Sequence, residues 1–522
     1  TLAWIPEQDV GGKDNKRSDE LRIRASNLEL AGLEGIRPLA AKLSPALGDV
    51  WRSTQPSGKI NTLALDIPLQ AADKTRFQAS WSDLAWKQWK LLPGAEHFSG
   101  TLSGSVENGL LTASMKQAKM PYETVFRAPL EIADGQATIS WLNNNKGFQL
   151  DGRNIDVKAK AVHARGGFRY LQPANDEPWL GILAGISTDD GSQAWRYFPE
   201  NLMGKDLVDY LSGAIQGGEA DNATLVYGGN PQLFPYKHNE GQFEVLVPLR
   251  NAKFAFQPDW PALTNLDIEL DFINDGLWMK TDGVNLGGVR ASNLTAVIPD
   301  YSKEKLLIDA DIKGPGKAVG PYFDETPLKD SLGATLQELQ LDGDVNARLH
   351  LDIPLNGELV TAKGEVTLRN NSLFIKPLDS TLKNLSGKFS FINSDLQSEP
   401  LTASWFNQPL NVDFSTKEGA KAYQVAVNLN GNWQPAKTGV LPEAVNEALS
   451  GSVAWDGKVG IDLPYHAGAT YNIELNGDLK NVSSHLPSPL AKPAGEPLAV
   501  NVKVDGNLNS FELTGQAGAD NH

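Results

Sequence analysis

Apolar and polar residues alternate with period two along much of this chain, most cleanly from Asp344 to Leu355. Val345, Ala347, Leu349, Leu351, Ile353 and Leu355 fall on one side of that stretch. Asp344, Asn346, Arg348, His350 and Asp352 fall on the other. A β-strand with this pattern has one apolar face and one wetted face. The pattern returns in Phe243, Val245, Val247 and Leu249, and in Leu266, Ile268, Leu270 and Phe272, which are separated by Asp267, Glu269 and Asp271. Leu306 and Ile308, Phe389 and Phe391, then Val425, Val427 and Leu429 repeat it. A slip of one residue would invert each face, so the intended side is well specified.

The same reading predicts strands at Leu21–Leu30 and Ile60–Leu69, and a run of short strands from Phe98 to Arg165. Turns are expected there at Asn108-Gly109, Asp134-Gly135, Asn144-Asn145 and Asp151-Gly152. Pro173–Gly191 reads as a loop with one helical turn, and Pro38–Leu47 as a short helix. The one convincing helix lies at Gly204–Ile215. There Leu207, Val208, Tyr210, Leu211, Ala214 and Ile215 recur at helical spacing, Asp206 and Asp209 sit in the early turns, and Gly217-Gly218 provides a stop.

Part of the chain repeats. Leu249-Arg250-Asn251 returns as Leu368-Arg369-Asn370, and Phe272-Ile273-Asn274 as Phe391-Ile392-Asn393, both 119 residues on. LDIPL begins at both Leu65 and Leu351, and LTAS at both Leu111 and Leu401. Short helical lead-ins recur at Asp324–Leu332 and Pro442–Leu449. The expected organisation is a first section over 1–195 and helix-plus-strand repeats over 196–322 and 323–441. A further repeat begins within 442–522. Together these make one continuous structure rather than independent domains.

The expected fold is mainly β: an elongated, twisted, mostly antiparallel sheet of five- to six-stranded units with short helices between them. So few helices cannot cover so much apolar strand surface, so the sheet must curl into an open groove with its apolar face inward. The apolar positions named above are then candidate groove-lining residues for an apolar ligand. A closed scaffold with a packed interior, and a glycan-binding module using Trp81, Trp86 and Trp89, are the other readings.

Composition narrows the chemistry. Gly 49 and Pro 31 suit a chain of many turns, and the net charge of −16 argues against nucleic acid. Cys 0 removes disulfides and thiol chemistry. The seven His lack partners at metal-ligand spacing, and neither a GxSxG nor a phosphate-binding loop is present, so no enzyme, metal or cofactor is expected. Asp189-Asp190-Gly191 reads as an acidic turn rather than a calcium loop. The chain begins at Thr1 without Met, and is expected to be a segment of something longer.

Several phrases resemble the YhdP family of AsmA-like envelope proteins of Gram-negative bacteria. They are YFPxxLM at Tyr197–Met203, DxLSGAIxGG at Asp209–Gly218, FQPDWPxLxNL at Phe256–Leu266, and WKLLPG with FSG from Trp89 to Gly100. The resemblance implies a repeating β-groove, bridge-like lipid transfer protein in the periplasm. It further implies phospholipid as ligand, with inner- and outer-membrane attachment outside this segment. The groove-lining candidates become lipid-binding candidates on that basis.

Overall fold

The alternating segments form strands, and each pairs antiparallel with its neighbour along the chain. The computed structural model describes residues 1–6, 8–9, 16–17, 19–36, 45–90, 92–507 and 509–518. Among them, 28 strands form one antiparallel sheet that does not close into a barrel. Two compact units are present. One comprises Thr1–Phe254, Thr264–Lys280 and Val297–Lys305; the other comprises Ala255–Leu263, Thr281–Ala296 and Leu306–His522.

The connections divide by edge. At one edge strands are joined mostly by tight hairpins, such as the one between Leu130–Asn144 and Gly147–Ala159. Every α-helix among the described residues lies in a connection at the other edge. Lys205–Ala214 is one of these, with Leu207, Val208, Leu211 and Ala214 buried. It ends at Ala214, ahead of the expected Gly217-Gly218 stop, because Ile215 already opens the next strand. The helix expected at Pro38–Leu47 overlaps one observed at Pro45–Thr54; residues 37–44 lie outside the described residues.

Near the helix-bearing edge, strand after strand contains a residue in the left-handed region. Asn27, Asp83, His97, Gln117, Asn154, Asn251, Asn265, Asn293, Asn370 and Asn384 all have φ between 48° and 63°. Asn and Asp tolerate this conformation better than most side chains. The ladder slips beside many of them, as at Gly152/Ile155 and Leu368/Asn371. Such bulges bend a strand and increase its twist.

A recurring hydrogen bond fixes the bend. The backbone N–H of Asp83 donates to Ser99 Oγ at 3.1 Å, that of Asn251 to Asp267 Oδ1 at 3.1 Å, and that of Asn370 to Ser386 Oγ at 2.9 Å. Each acceptor lies two residues beyond the left-handed residue of the neighbouring strand (His97, Asn265, Asn384). The 119-residue repeat is thus a repeat of contacts. At the hairpin edge Phe243 N–H donates to Asn274 Oδ1 at 2.9 Å, and Ala362 N–H to Asn393 Oδ1 at 2.8 Å.

Three expectations need correction. Pro173–Gly191 is not mainly a loop: Trp179–Thr188 is a strand, followed by a 3-10 helix at Gly191–Tyr197 capped by Asp190. Both faces of WLGILAGIST are apolar or bare, so no alternation advertises it. Asp134-Gly135 and Asp151-Gly152 lie inside strands. Asp151 is held there by Arg169 Nε at 2.6 Å, and Gly152 lies where a Cβ would collide with the Phe168 ring. Asn108-Gly109 opens a strand, and the turn sits just before it.

An apolar face without charge

Cross-strand register shows which side chains share a face. In the first unit one unbroken row runs through Ala25, Leu63, Ala79, Leu102, Leu111, Ile139, Gly152, Phe168, Ile182, Tyr227 and Phe243. It crosses eleven strands and contains no ionisable side chain other than the Tyr227 phenol. The adjacent row, Ile23, Leu65, Phe77, Gly104, Gly109, Trp141, Leu150, Tyr170, Leu180 and Gly229, contains no ionisable side chain other than the Tyr170 phenol. Large rings lie across neighbouring glycines: Trp141 over Gly109, Trp81 over Gly100 and Phe168 over Gly152. A ring spread over a bare backbone covers it without standing tall, which keeps the face smooth.

The opposite face is polar. Ser26, Thr62, Ser80, Thr101, Thr112 and Thr138 form a hydroxyl row, with Thr62 and Ser80 at 2.6 Å and Thr101 and Thr112 at 2.6 Å. Asp151 sits among Arg169, Arg153 and Gln149. The Arg169 hydrogen bond holds its carboxyl below the usual range, against the opposing effect of burial.

Burial on the apolar face is graded. Beyond the bend, towards the helix-bearing edge, Ala95, Met115, Ala118 and Ile132 form a buried cluster backed by Trp86 and Phe98. Across the middle of the strands, Leu63, Leu102, Leu111, Ile139 and Ile182 stay half-buried. A cleft of about 780 Å³ at Val162–Pro173 and Trp179–Thr188 is lined from both faces, by Phe168, Ile182 and Tyr227 of the apolar row and by Arg165, Arg169 and Leu183 of the other, so it does not belong to the apolar face alone. The glycan reading loses its platform here. Trp81 and Trp86 pack on Phe98 at centroid distances of 5.8 and 5.0 Å, and Trp86 Nε1 donates to the Pro93 carbonyl.

Register places the first-unit candidates on this face and those of the second unit on an apolar face within that unit. Phe243 pairs with Tyr227 and Val245 with Leu225, and Val247 continues their alternation. Leu266, Ile268, Leu270 and Phe272 are all buried, Ile268 at 5% exposure. In the second unit, His350 meets Asp309 at 2.9 Å on the polar side, which sets Leu306, Ile308 and Leu349 on the other. There Val345 pairs with Leu368, Ala347 with Val366 and Leu349 with Gly364, while Val366 and Gly364 pair in turn with Phe389 and Phe391 of the next strand. Leu351 and Ile353 continue that strand. Val345, Ile353, Val425 and Leu429 are buried, whereas Ala347, Leu349, Leu351, Phe389, Phe391 and Val427 remain half-exposed. Val427 lies in a row with Phe414, Val459, Ile473, Val504 and Leu513.

Sequence reading named no lining residue before Phe243. Segments such as Gly100–Gly104 hide their face, because glycine takes the apolar place and only Leu102 remains as a signal. Among the described residues no three His, Cys, Asp or Glu side chains gather as a metal site. No helix there is long and apolar enough to cross a membrane.

A bent, ladder-like sheet with a charge-free apolar face, partly sheltered and partly open, defines a repetitive β-groove protein. The chain belongs to the YhdP family, whose model, described as YhdP protein, matches residues 1–522. Membership marks it as an envelope protein of a lipid-transport-related family. No solved structure matches the chain.

Proposed function

We propose that the apolar face is a non-enzymatic conduit for the acyl chains of glycerophospholipids, which cross the periplasm between inner and outer membrane along it. The observation that carries this reading is the eleven-strand row from Ala25 to Phe243 without an acid or a base. Acyl chains lying on it gain roughly 25 cal/mol per Å² of apolar surface removed from water, or about 0.8 kcal/mol per methylene. Successive strands about 4.8 Å apart present similar walls, so a chain can move on without leaving a deep minimum. Head groups stay in water at the open side of the groove, where they keep their hydration.

Leu110 and Leu111 supply the test. They are adjacent leucines of one strand, but Leu111 lies in the apolar row and Leu110 on the opposite face, 44% exposed. A photo-crosslinking residue at Leu111 of the full-length protein is expected to capture phospholipid in cells, and one at Leu110 is not. Equal capture from the two positions removes the conduit, because mere exposed hydrophobicity would then explain binding.

A further inference from the structure

One strand of the first unit carries a cover at each of its ends. Ile215–Gly229 is preceded directly by helix Lys205–Ala214 and followed directly by the loop 230–241. On the helix side, the Phe198 ring meets Phe272 of the apolar face at 6.5 Å, and Leu207, Val208 and Leu211 are buried. Arg127, from the connection after strand Asn108–Met120, holds this element down. Its guanidinium pairs with Glu200 and with Asp209, the latter at 2.6 Å. On the hairpin side, Phe234 stacks on Tyr227 at 6.1 Å and meets Phe243 edge-on at 5.4 Å. Asn230 anchors this loop to Glu177 at 2.7 Å, and Asn274 Nδ2 donates to the Tyr236 carbonyl at 3.4 Å.

Tyr227 and Phe243 are the last two members of the eleven-strand row. Phe234 therefore occupies the surface on which an acyl chain advancing along that row would have to lie. Burial changes at the same station. Leu102, Leu111 and Ile182 are half-exposed before it, and Phe243, Val245 and Val247 still are beside it, whereas Leu270 and Phe272 at the same height of the next strand are covered. A groove that merely narrowed would need neither a helix pinned by a two-carboxylate clamp nor an aromatic loop folded over the row.

Building on the conduit reading, we propose that Phe198–Ala214 and the loop 230–241 are the two jaws of a gate, closed in this structure. Acyl chains pass only when the Arg127 clamp releases the helix and Phe234 swings off Tyr227. Passage along the groove is then set by gate opening rather than by sliding over the open strands.

This chain contains no cysteine, so a pair introduced into it marks the gate, any cysteine elsewhere in the full-length protein being replaced first. Arg127→Cys with Asp209→Cys can be bridged by a bismaleimide that contains a reducible disulfide. Phospholipid delivery is read alongside capture by a crosslinker at Leu111. Bridging is expected to lower delivery at least tenfold while capture at Leu111 persists, and dithiothreitol is expected to restore it. The unbridged double variant, which lacks the clamp, should deliver faster than the parent. Phe234→Ala should also raise delivery, by threefold or more. Unchanged delivery after bridging, or in a folded Phe234→Ala protein, overturns the gate and leaves the conduit standing. Loss of capture at Leu111 in the parent protein overturns the conduit, and the gate with it.

Discussion

Replacing Leu349 by Asp places one carboxylate in the middle of a face that offers it no counter-ion. Its neighbours there are Ala347, Leu351, Gly364 and Phe391, whereas Arg348 and His350 point to the other side. Leu349 is half-buried, so the substitution forfeits about half of the 1.5–3 kcal/mol that a fully buried leucine contributes, roughly 1 kcal/mol. The carboxylate keeps water on its open side and avoids the full desolvation cost of a buried charge. Set against the typical 5–15 kcal/mol of domain stability, the protein should fold. An acyl chain fares worse. Holding three or four methylenes off the wall, at ~0.8 kcal/mol each, raises the passage barrier by about 3 kcal/mol, which slows transit on the order of a hundredfold. Chains in single file have no route around it.

The assay is phospholipid delivery by the full-length Leu349→Asp protein in cells without redundant carriers, paired with circular dichroism and protein yield. Leu349→Asn, similar in size and uncharged, separates charge from shape and should retain much more function. A folded Leu349→Asp protein with full delivery refutes the conduit. Misfolding of both Leu349→Asp and Leu349→Asn points instead to a packed interior at this strand.

The same substitution at Ile268 has a different expected outcome, because Ile268 is 5% exposed. Ile268→Asp should cost several kcal/mol and abolish folding, whereas Ile268→Val should cost only about 0.5–1.5 kcal/mol; thermal denaturation measures both. Asp151→Asn tests the polar face. The Asp151 carboxyl is held below its ordinary value, chiefly by the Arg169 hydrogen bond. Its stabilising contribution is therefore full above the unfolded carboxyl's pKa of about 3.9 and fades as pH falls through the lower folded value. Urea midpoints should put the variant below the parent at pH 7, with the gap closing towards pH 3; a gap that stays constant with pH contradicts the assignment.

Strict alternation was enough to find the strand at Asp344–Leu355 and to assign its faces, because the hydrophobic term acts residue by residue along a pleat. It was enough at Leu266–Phe272 for the same reason. It failed at Trp179–Thr188, where apolar residues and glycines fill both faces. It also misjudged Asp151-Gly152, a turn signal in isolation that Arg169 and Phe168 hold in extended form from the next strand. The bend was visible only as scattered asparagines, since a left-handed residue shifts the period by one and then leaves it intact. Phe234 over Tyr227 was invisible, because no periodicity encodes a loop returning to a row built from eleven strands.

Pairing in chain order has a consequence for how such a protein is made. Nearly every strand rests on the one just before it, so hardly any hydrogen-bond partner is synthesised much later than the strand that needs it. Contacts are then short in sequence, which favours rapid closure despite the all-β architecture. A chain arriving N-terminus first can add one hairpin at a time to an existing edge, with each left-handed bend set by its immediate neighbour rather than by the finished molecule. The hazard is equally local. At every moment the growing edge is an unpaired strand beside an uncovered apolar face, the surface most prone to pair with a second nascent copy.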